Sequence, residues 1–489
     1  MSKQAMSLGV LFANFSKVLC LAGVVAPAVL LAGGPAWAQK GAPQMGLAQA
    51  GAPPVGLAQA GDPQGGPAQS GREAGSDRAI RLLTLAPVPV AGTNHTGGMY
   101  SFDISFVDQV TQMYYLGDRS NAAVDVVDAK TGTFVTQFFA APPFAGFTGS
   151  TATSGPNGVV AVTIGKNSFL FVTDANSRVV SMNATTGATI NNVSTGGAAG
   201  LRADELAFDP RDNVLLVINN ADTPPFGTFI KVNPATGVLT PPTPADRLTF
   251  DALHGVDATN GAEQPVWEPD TGRFYLSIPQ IGPTVSNGGV VRINPTSKSV
   301  EATIPVQFCS PAGLTVGPRQ DLFVGCNMVF DTAGNVWSPT GTVPADSRDV
   351  IVDAKTGKKD PTALDANVFG VGAGDEVWYN KGDGNYYATG SGSPLRPLPA
   401  ATAQGATPLG VVDAKDQRVL QLVATFNVPA VTGTGAHPAG TAHSVAANAN
   451  NNLIFVPLAA NNTFLSPDAT KDCLTGCVAV FGHPDEDVK

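Results

Sequence analysis

The hexapeptide VDAKTG at 127–132 returns unchanged at 352–357. Four variants accompany it: MNATTG (182–187), VNPATG (232–237), INPTSK (293–298) and VDAKDQ (412–417). Their second positions, Asp128, Asn183, Asn233, Asn294, Asp353 and Asp413, stand 55, 50, 61, 59 and 60 residues apart. Asp and Asn side chains bond the backbone just ahead of them, and Gly at the end accepts positive φ, so each copy predicts a hairpin turn. Two or three strand-like runs precede each turn and one follows it. In the second unit the preceding runs are Val159–Val162, Ser168–Val172 and Arg178–Met182; in the fourth they are Pro265–Trp267, Arg273–Ile278 and Gly289–Ile293. Phe134–Phe139 and Ser299–Ile304 are examples of the run that follows.

Four strands per unit, repeated, predict an all-β propeller, with loops stretching the period beyond the common ~40–50 residues. A seventh unit at 440–482 has three strands before the chain ends. Its missing outer strand is expected from Ile80–Val88, which would close the ring by pairing its two ends. Seven blades are therefore expected over residues 80–489. Six or eight stay open, because insertions at 330–350 and 390–410 blur the count.

Composition supports this architecture. Charged residues are only 13% of 489, while Gly (55) and Pro (39) are plentiful, which suits short strands and turns rather than helical bundles. A net charge of −10 argues against a nucleic-acid partner. Residues 1–38 carry Lys3 and Lys17, an apolar run from Val18 to Leu31, and Ala36-Trp37-Ala38. That order predicts a secretory signal cleaved near Ala38, with a periplasmic or secreted product of net charge −12. The apolar run is too short for a membrane span, and no second one exists. Residues 39–79 hold three decamers, GAPQMGLAQA, GAPPVGLAQA and GDPQGGPAQS, read as a disordered spacer. Four cysteines remain in the exported body: Cys309, Cys326, Cys473 and Cys477. Cys309 and Cys326 fall at neighbouring ends of one hairpin, and Cys473 and Cys477 close a small loop, so two disulfides are expected. No C-x-x-C-H for haem is present, nor a nucleotide-binding motif.

The units resemble those of YVTN-type and NHL-like bacterial propeller repeat proteins. The phrases that carry the likeness are DELAFDPRDNVLLVINN (204–220), EQPVWEPDTGRFYLSIP (263–279), PAGLTVGPRQDLFVGC (311–326), DEVWYNKGDGNYYATG (375–390) and AHSVAANANNNLIFVP (442–457). The resemblance implies a lactonase-like propeller architecture, in which some members hydrolyse lactones with a metal and many bind without chemistry.

Aligning the units places residues at the start of each inner strand, and just after each second strand, around one mouth of the central channel. The first set includes Asn157, Asp204, Glu205, Glu263, Gln264, Asp375, Glu376 and His443; the second includes Asp118, Asp174, Asn219 and Asn220. From these, Glu205, Asn219, Glu376 and His443 are candidate ligands for one divalent cation. Hard oxygens favour Ca²⁺ or Mg²⁺, and the imidazole would also admit Zn²⁺ or Mn²⁺. Asp174 or Asp375 would act as base, and Asn157, Glu263 and Asn220 would touch ligand. Two functions are expected: a monomeric binding module for a small polar ligand or an envelope protein, or a metal-dependent lactone or ester hydrolase. For Asp118, Asp174 and Asn219 a structural role, tying turns and blades together, competes with both.

Overall fold

The computed structural model describes residues 79–483, with interruptions at 259, 337–347, 358–366, 370–373, 390–408, 424, 426–431, 433–441, 443, 463 and 465. The expected export segment, the spacer up to residue 78 and His443 lie outside the described residues.

Seven four-stranded antiparallel sheets form the blades of a β-propeller. Their inner strands are Ser105–Asp108, Val159–Ile164, Leu206–Asp209, Pro265–Glu268, Cys309–Val316, Glu376–Asn380 and Ala446–Asn448. Each touches the inner strand on either side, so the ring is closed. The outer strand of the seventh blade is Arg81–Pro87, paired antiparallel with Cys477–Gly482, the seam expected from the sequence.

The repeated turn joins the third and fourth strands of blades one to six. Asp128 Oδ1 accepts from the amides of Lys130 (2.7 Å) and Thr131 (3.2 Å). Asn183, Asn233, Asn294 and Asp413 each accept from the same two positions ahead. The sixth position is left-handed in every copy; it is Gly in four, with Lys298 (φ 51°) and Gln417 (φ 52°) in the others. At Gly187 the need is double, since a Cβ there would also overlap the Phe138 ring. In blades two and five the residue after the Asx docks the turn on the preceding blade: Tyr115 donates to the Ala184 carbonyl (3.0 Å) and Tyr275 to that of Ala354 (2.7 Å).

The core is seven wedges between adjacent blades. Second-strand neighbours separate to opposite sides: Tyr114 packs towards blade seven and Tyr115 towards blade two, while Tyr386 and Tyr387 part towards blades five and seven. Strands covered on both faces explain continuous apolar runs such as LLVI (215–218) in place of alternation. Cys309–Cys326 and Cys473–Cys477 are both bonded, with Cα separations of 5.2 and 4.9 Å. The first ties the inner to the second strand of blade five, and the second lies beside the closing seam. Trp267 lies between Arg211 of blade three and Phe274 of its own blade. Trp378 reaches further. Its ring meets Phe106 edge-on at 5.4 Å, and Phe106 belongs to blade one, so the pair reaches past blade seven.

Candidate functional site at the propeller hub

Each inner strand keeps its ladder with the second strand for one more step towards the mouth. Asp103 N donates to Gly117 O, Asn157 N to Thr173 O, Asp204 N to Ile218 O, Glu263 N to Ser277 O and Asp375 N to Thr389 O, all at 2.7–2.9 Å. This shared register puts acidic and amide side chains from five blades in one layer. Adjacent inner strands are also joined here, with Gly158 N donating to Asp204 O (3.0 Å) and Gly313 N to Gly374 O (3.1 Å). A Cβ on Gly158 would fall 2.5 Å from Asp204 O, so the close approach requires Gly.

Two arginines stand among these carboxyls. Arg119 is 2% exposed; it donates to Asn157 Oδ1 (2.8 Å) and the Phe102 carbonyl (3.3 Å), and pairs with Asp103. Arg202 pairs with Asp204 (2.7 Å) and Asp103 (3.5 Å) and donates to Asn220 Oδ1 (3.3 Å). Burial lowers the pKa of Arg119, Asp103 opposing. For Arg202 burial acts the same way, but the charges of Asp204, Asp103, Glu263 and Glu205 outweigh it and raise the value. Asn157, fully buried, is consumed by Arg119 and by the carbonyls of Ser154 and Ala203.

Glu205, Glu263 and Glu376 are treated differently. Among the described residues no Lys, Arg or His lies within ion-pair distance of any of them. Glu205 is 7% exposed and no described group donates to its carboxyl. Glu376 is 3% exposed; Oε2 accepts from Gln264 Nε2 (3.3 Å) and Oε1 is buried without a partner. That bond spans blades four and six, crossing blade five where the equivalent residue is Gly313. Burial pushes both carboxyls well above the usual range. Glu376, Asp204 and Glu263 add to this at Glu205, and Asp103, Asp375 and Asp204 at Glu376. Burial, then the Asp204 charge, raises Glu263 to about 8. Burial raises Asp204 to about 7 against the pull of Arg202.

The predicted residues therefore divide. Glu205, Glu263, Glu376 and Asp375 gather at the hub, Asp375 taking a bond from Asn327 Nδ2 (3.2 Å). Asn220 reaches its edge through Arg202. Asp174 is instead held by Arg178 (2.7 Å) and the Ala145 amide (3.2 Å), and Asn219 Nδ2 turns to Ser177 Oγ (3.1 Å) and Asp222 (3.3 Å). Asp118 accepts from the Asn121 amide at 3.0 Å. Sequence reading missed Asp103, Arg119 and Arg202. FDISF (102–106) aligns with ADELA (203–207), which would have placed Asp103 at the position of Asp204, and Arg119 directly follows the second strand of its blade.

A separate cavity of about 500 Å³ opens off-axis on the same face, between Gly92–Thr96 and Phe139–Phe147. Phe139, Phe144 and Phe147 supply apolar walls, His95 and Ser120 polar ones; the hub carboxyls do not line it.

No family model and no curated protein matches the sequence. Among solved structures, a chain of Kuenenia stuttgartiensis hydrazine synthase is similar, with a TM-score of 0.51 and 12% identity. The match covers 82% of this chain and 99% of that one. At that identity the likeness speaks to the fold alone, in agreement with the seven blades. The chain is a propeller-repeat protein.

Proposed function

We propose that this chain is an exported binding module of the YVTN or NHL-like propeller type, whose hub holds a small polar ligand. One observation carries the reading. Glu205 is enclosed beside Glu376 and Glu263, and among the described residues no group donates a hydrogen bond to its carboxyl and no cation lies within ion-pair distance, an arrangement costly to keep unless a ligand completes it. Export rests on the leader pattern at 1–38 and on the two disulfides. Among the described residues no helix is long and apolar enough to cross a membrane.

The metal-dependent hydrolase is the weaker reading. Its ligand set was Glu205, Asn219, Glu376 and His443. Asn219 Nδ2 donates to Ser177, Asp222 and the Arg202 carbonyl, and His443 lies outside the described residues. Among the described residues no three Asp, Glu, His or Cys side chains converge as a metal would require. The described residues therefore do not fit the group, and no step is derived through it.

A thermal-shift screen of small polar compounds, run on the wild type and on Glu205→Gln/Glu376→Gln, tests the module. At least one compound should stabilise the wild type and lose its effect on the double variant. Stabilisation that ignores the substitutions, or none across the screen, rejects hub binding.

A further inference from the structure

We infer that the hub ligand is an organic cation, a small molecule whose ammonium group sits among Glu205, Glu263 and Glu376. The inference rests on the hub being a binding site and adds the chemical class.

The local donors decide the sign of the ligand. Arg119 and Arg202 are the hub's cations, and each of their bonds described above ends on a protein partner: Asp103, Asn157 and Phe102 for one, Asp103, Asp204 and Asn220 for the other. Among the described residues no hub cation is left to receive an anion. Acceptors are in surplus: both Glu205 oxygens and Glu376 Oε1 have no described donor. Gln264, the one neutral donor nearby, is already engaged with Glu376 and, through Oε1, with the Leu314 amide.

The spacing decides between kinds of cation. Among the described residues no three Asp, Glu, His or Cys side chains close on one point, and Glu263 stands one register step from Glu205 and Glu376, in the layer of Asp204 and Asp375. A divalent ion needs several oxygens within about 2.3–2.6 Å of one centre. An ammonium group directs three N–H donors to separate acceptors and tolerates such a spread. The floor agrees with this choice. Trp378 lies two residues beyond Glu376 in the same strand, so both side chains leave the same face, and its ring meets Phe106 from across the channel. Aromatic rings below carboxylates suit the methylenes of an alkylammonium and its diffuse charge.

The experiment is calorimetric titration of the full chain with three isosteric probes: putrescine, 1,4-butanediol and succinate. CaCl₂ is a fourth probe. Putrescine should saturate, with the diol and the dianion at least tenfold weaker, and Glu205→Gln/Glu376→Gln should weaken it tenfold or more while circular dichroism stays unchanged. Glu205→Gln alone, with an amide of the same shape, guards against a folding defect in the double variant. Because burial favours the protonated form of these carboxyls, putrescine binding should also release protons. Heats measured in two buffers of different ionisation enthalpy would show this. Equal or tighter binding of the diol or succinate, abolished by the substitutions, overturns the cation and keeps the hub. Tighter binding of Ca²⁺ at the same residues overturns the organic cation in favour of a metal. Putrescine binding that the substitutions leave intact, or no binding, overturns the inference, and the thermal-shift screen then decides the hub itself.

Discussion

The two faces of this ring use the same residue types to opposite ends. On the face of the repeated turns, Asn183 and Asn233 each hold two backbone amides near the surface. At the mouth, Glu205 and Glu376 are enclosed, charged only at a cost, and short of donors. The turn face is built to be finished when the chain has folded, and the mouth is left chemically incomplete. A protein selected only for stability would have paired or replaced those glutamates, since an uncompensated buried carboxyl is among the costlier features a fold can carry.

The strongest way to break this contrast is to remove a counter-charge from the half of the hub that has one. Arg119→Met leaves Asp103 and Asn157 without their donor and should cost about 3–5 kcal/mol in denaturant unfolding. A loss under 1 kcal/mol would mean the hub is far wetter than its burial indicates.

Next in size is the response to pH. Asp204, Glu263 and Asp349 titrate near 7, 8 and 8 when folded, burial being the first cause in each. The folded state thus keeps protons that the unfolded chain releases near pH 4. Their contribution is complete below about pH 4 and is lost as pH rises through 7 to 8, on the order of a few kcal/mol together. Unliganded protein should therefore melt lower at pH 9 than at pH 5, and Glu263→Gln should flatten that decline. Asp246, held down to about 2 by Lys298, runs the other way and only in acid. A melting temperature flat from pH 5 to 9 would sink the argument.

Smaller effects separate the faces residue by residue. Asn183→Ala should lose about 1 kcal/mol at any pH, because it removes two bonds to backbone amides. Glu205→Gln should be neutral in acid, where the buried carboxyl is protonated, and stabilising in alkali, where it removes a charge instead of a bond. Destabilisation in both would show that Glu205 has a structural donor after all. Smallest is Gln417→Gly. Its φ of 52° suits Gly better, and a gain of about half a kcal/mol in thermal unfolding is expected.

The blade count, the seam and both disulfides were legible because local chemistry encodes them: Asx–Gly turns mark every third-to-fourth hairpin, and cysteines fall at neighbouring strand ends. Glu205 and Glu376 were legible for the same reason, since one register repeats from blade to blade, and Glu263 falls in the register of Asp204 and Asp375 one residue earlier. What stayed hidden were partnerships across blades. Nothing near Asp174 in sequence marks Ala145, 29 residues back, as a donor to it. The Asp103–Arg202 contact spans 99 residues and depends on how wedges tilt about the axis. Asp204 and Glu205 are adjacent letters, yet of the two only Asp204 forms an ion pair with Arg202. Periodicity locates a side chain; only packing decides its company.

The seam that closes the ring has a mechanical consequence. Arg81 lies opposite Gly482 and Pro87 opposite Cys477, so both free ends of the disc leave from the same end of one antiparallel pair. Tension applied between those ends would act at right angles to the strands and open the rungs singly, like a zip. A pull on the amino end alone, directed along its strand, would load them all at once.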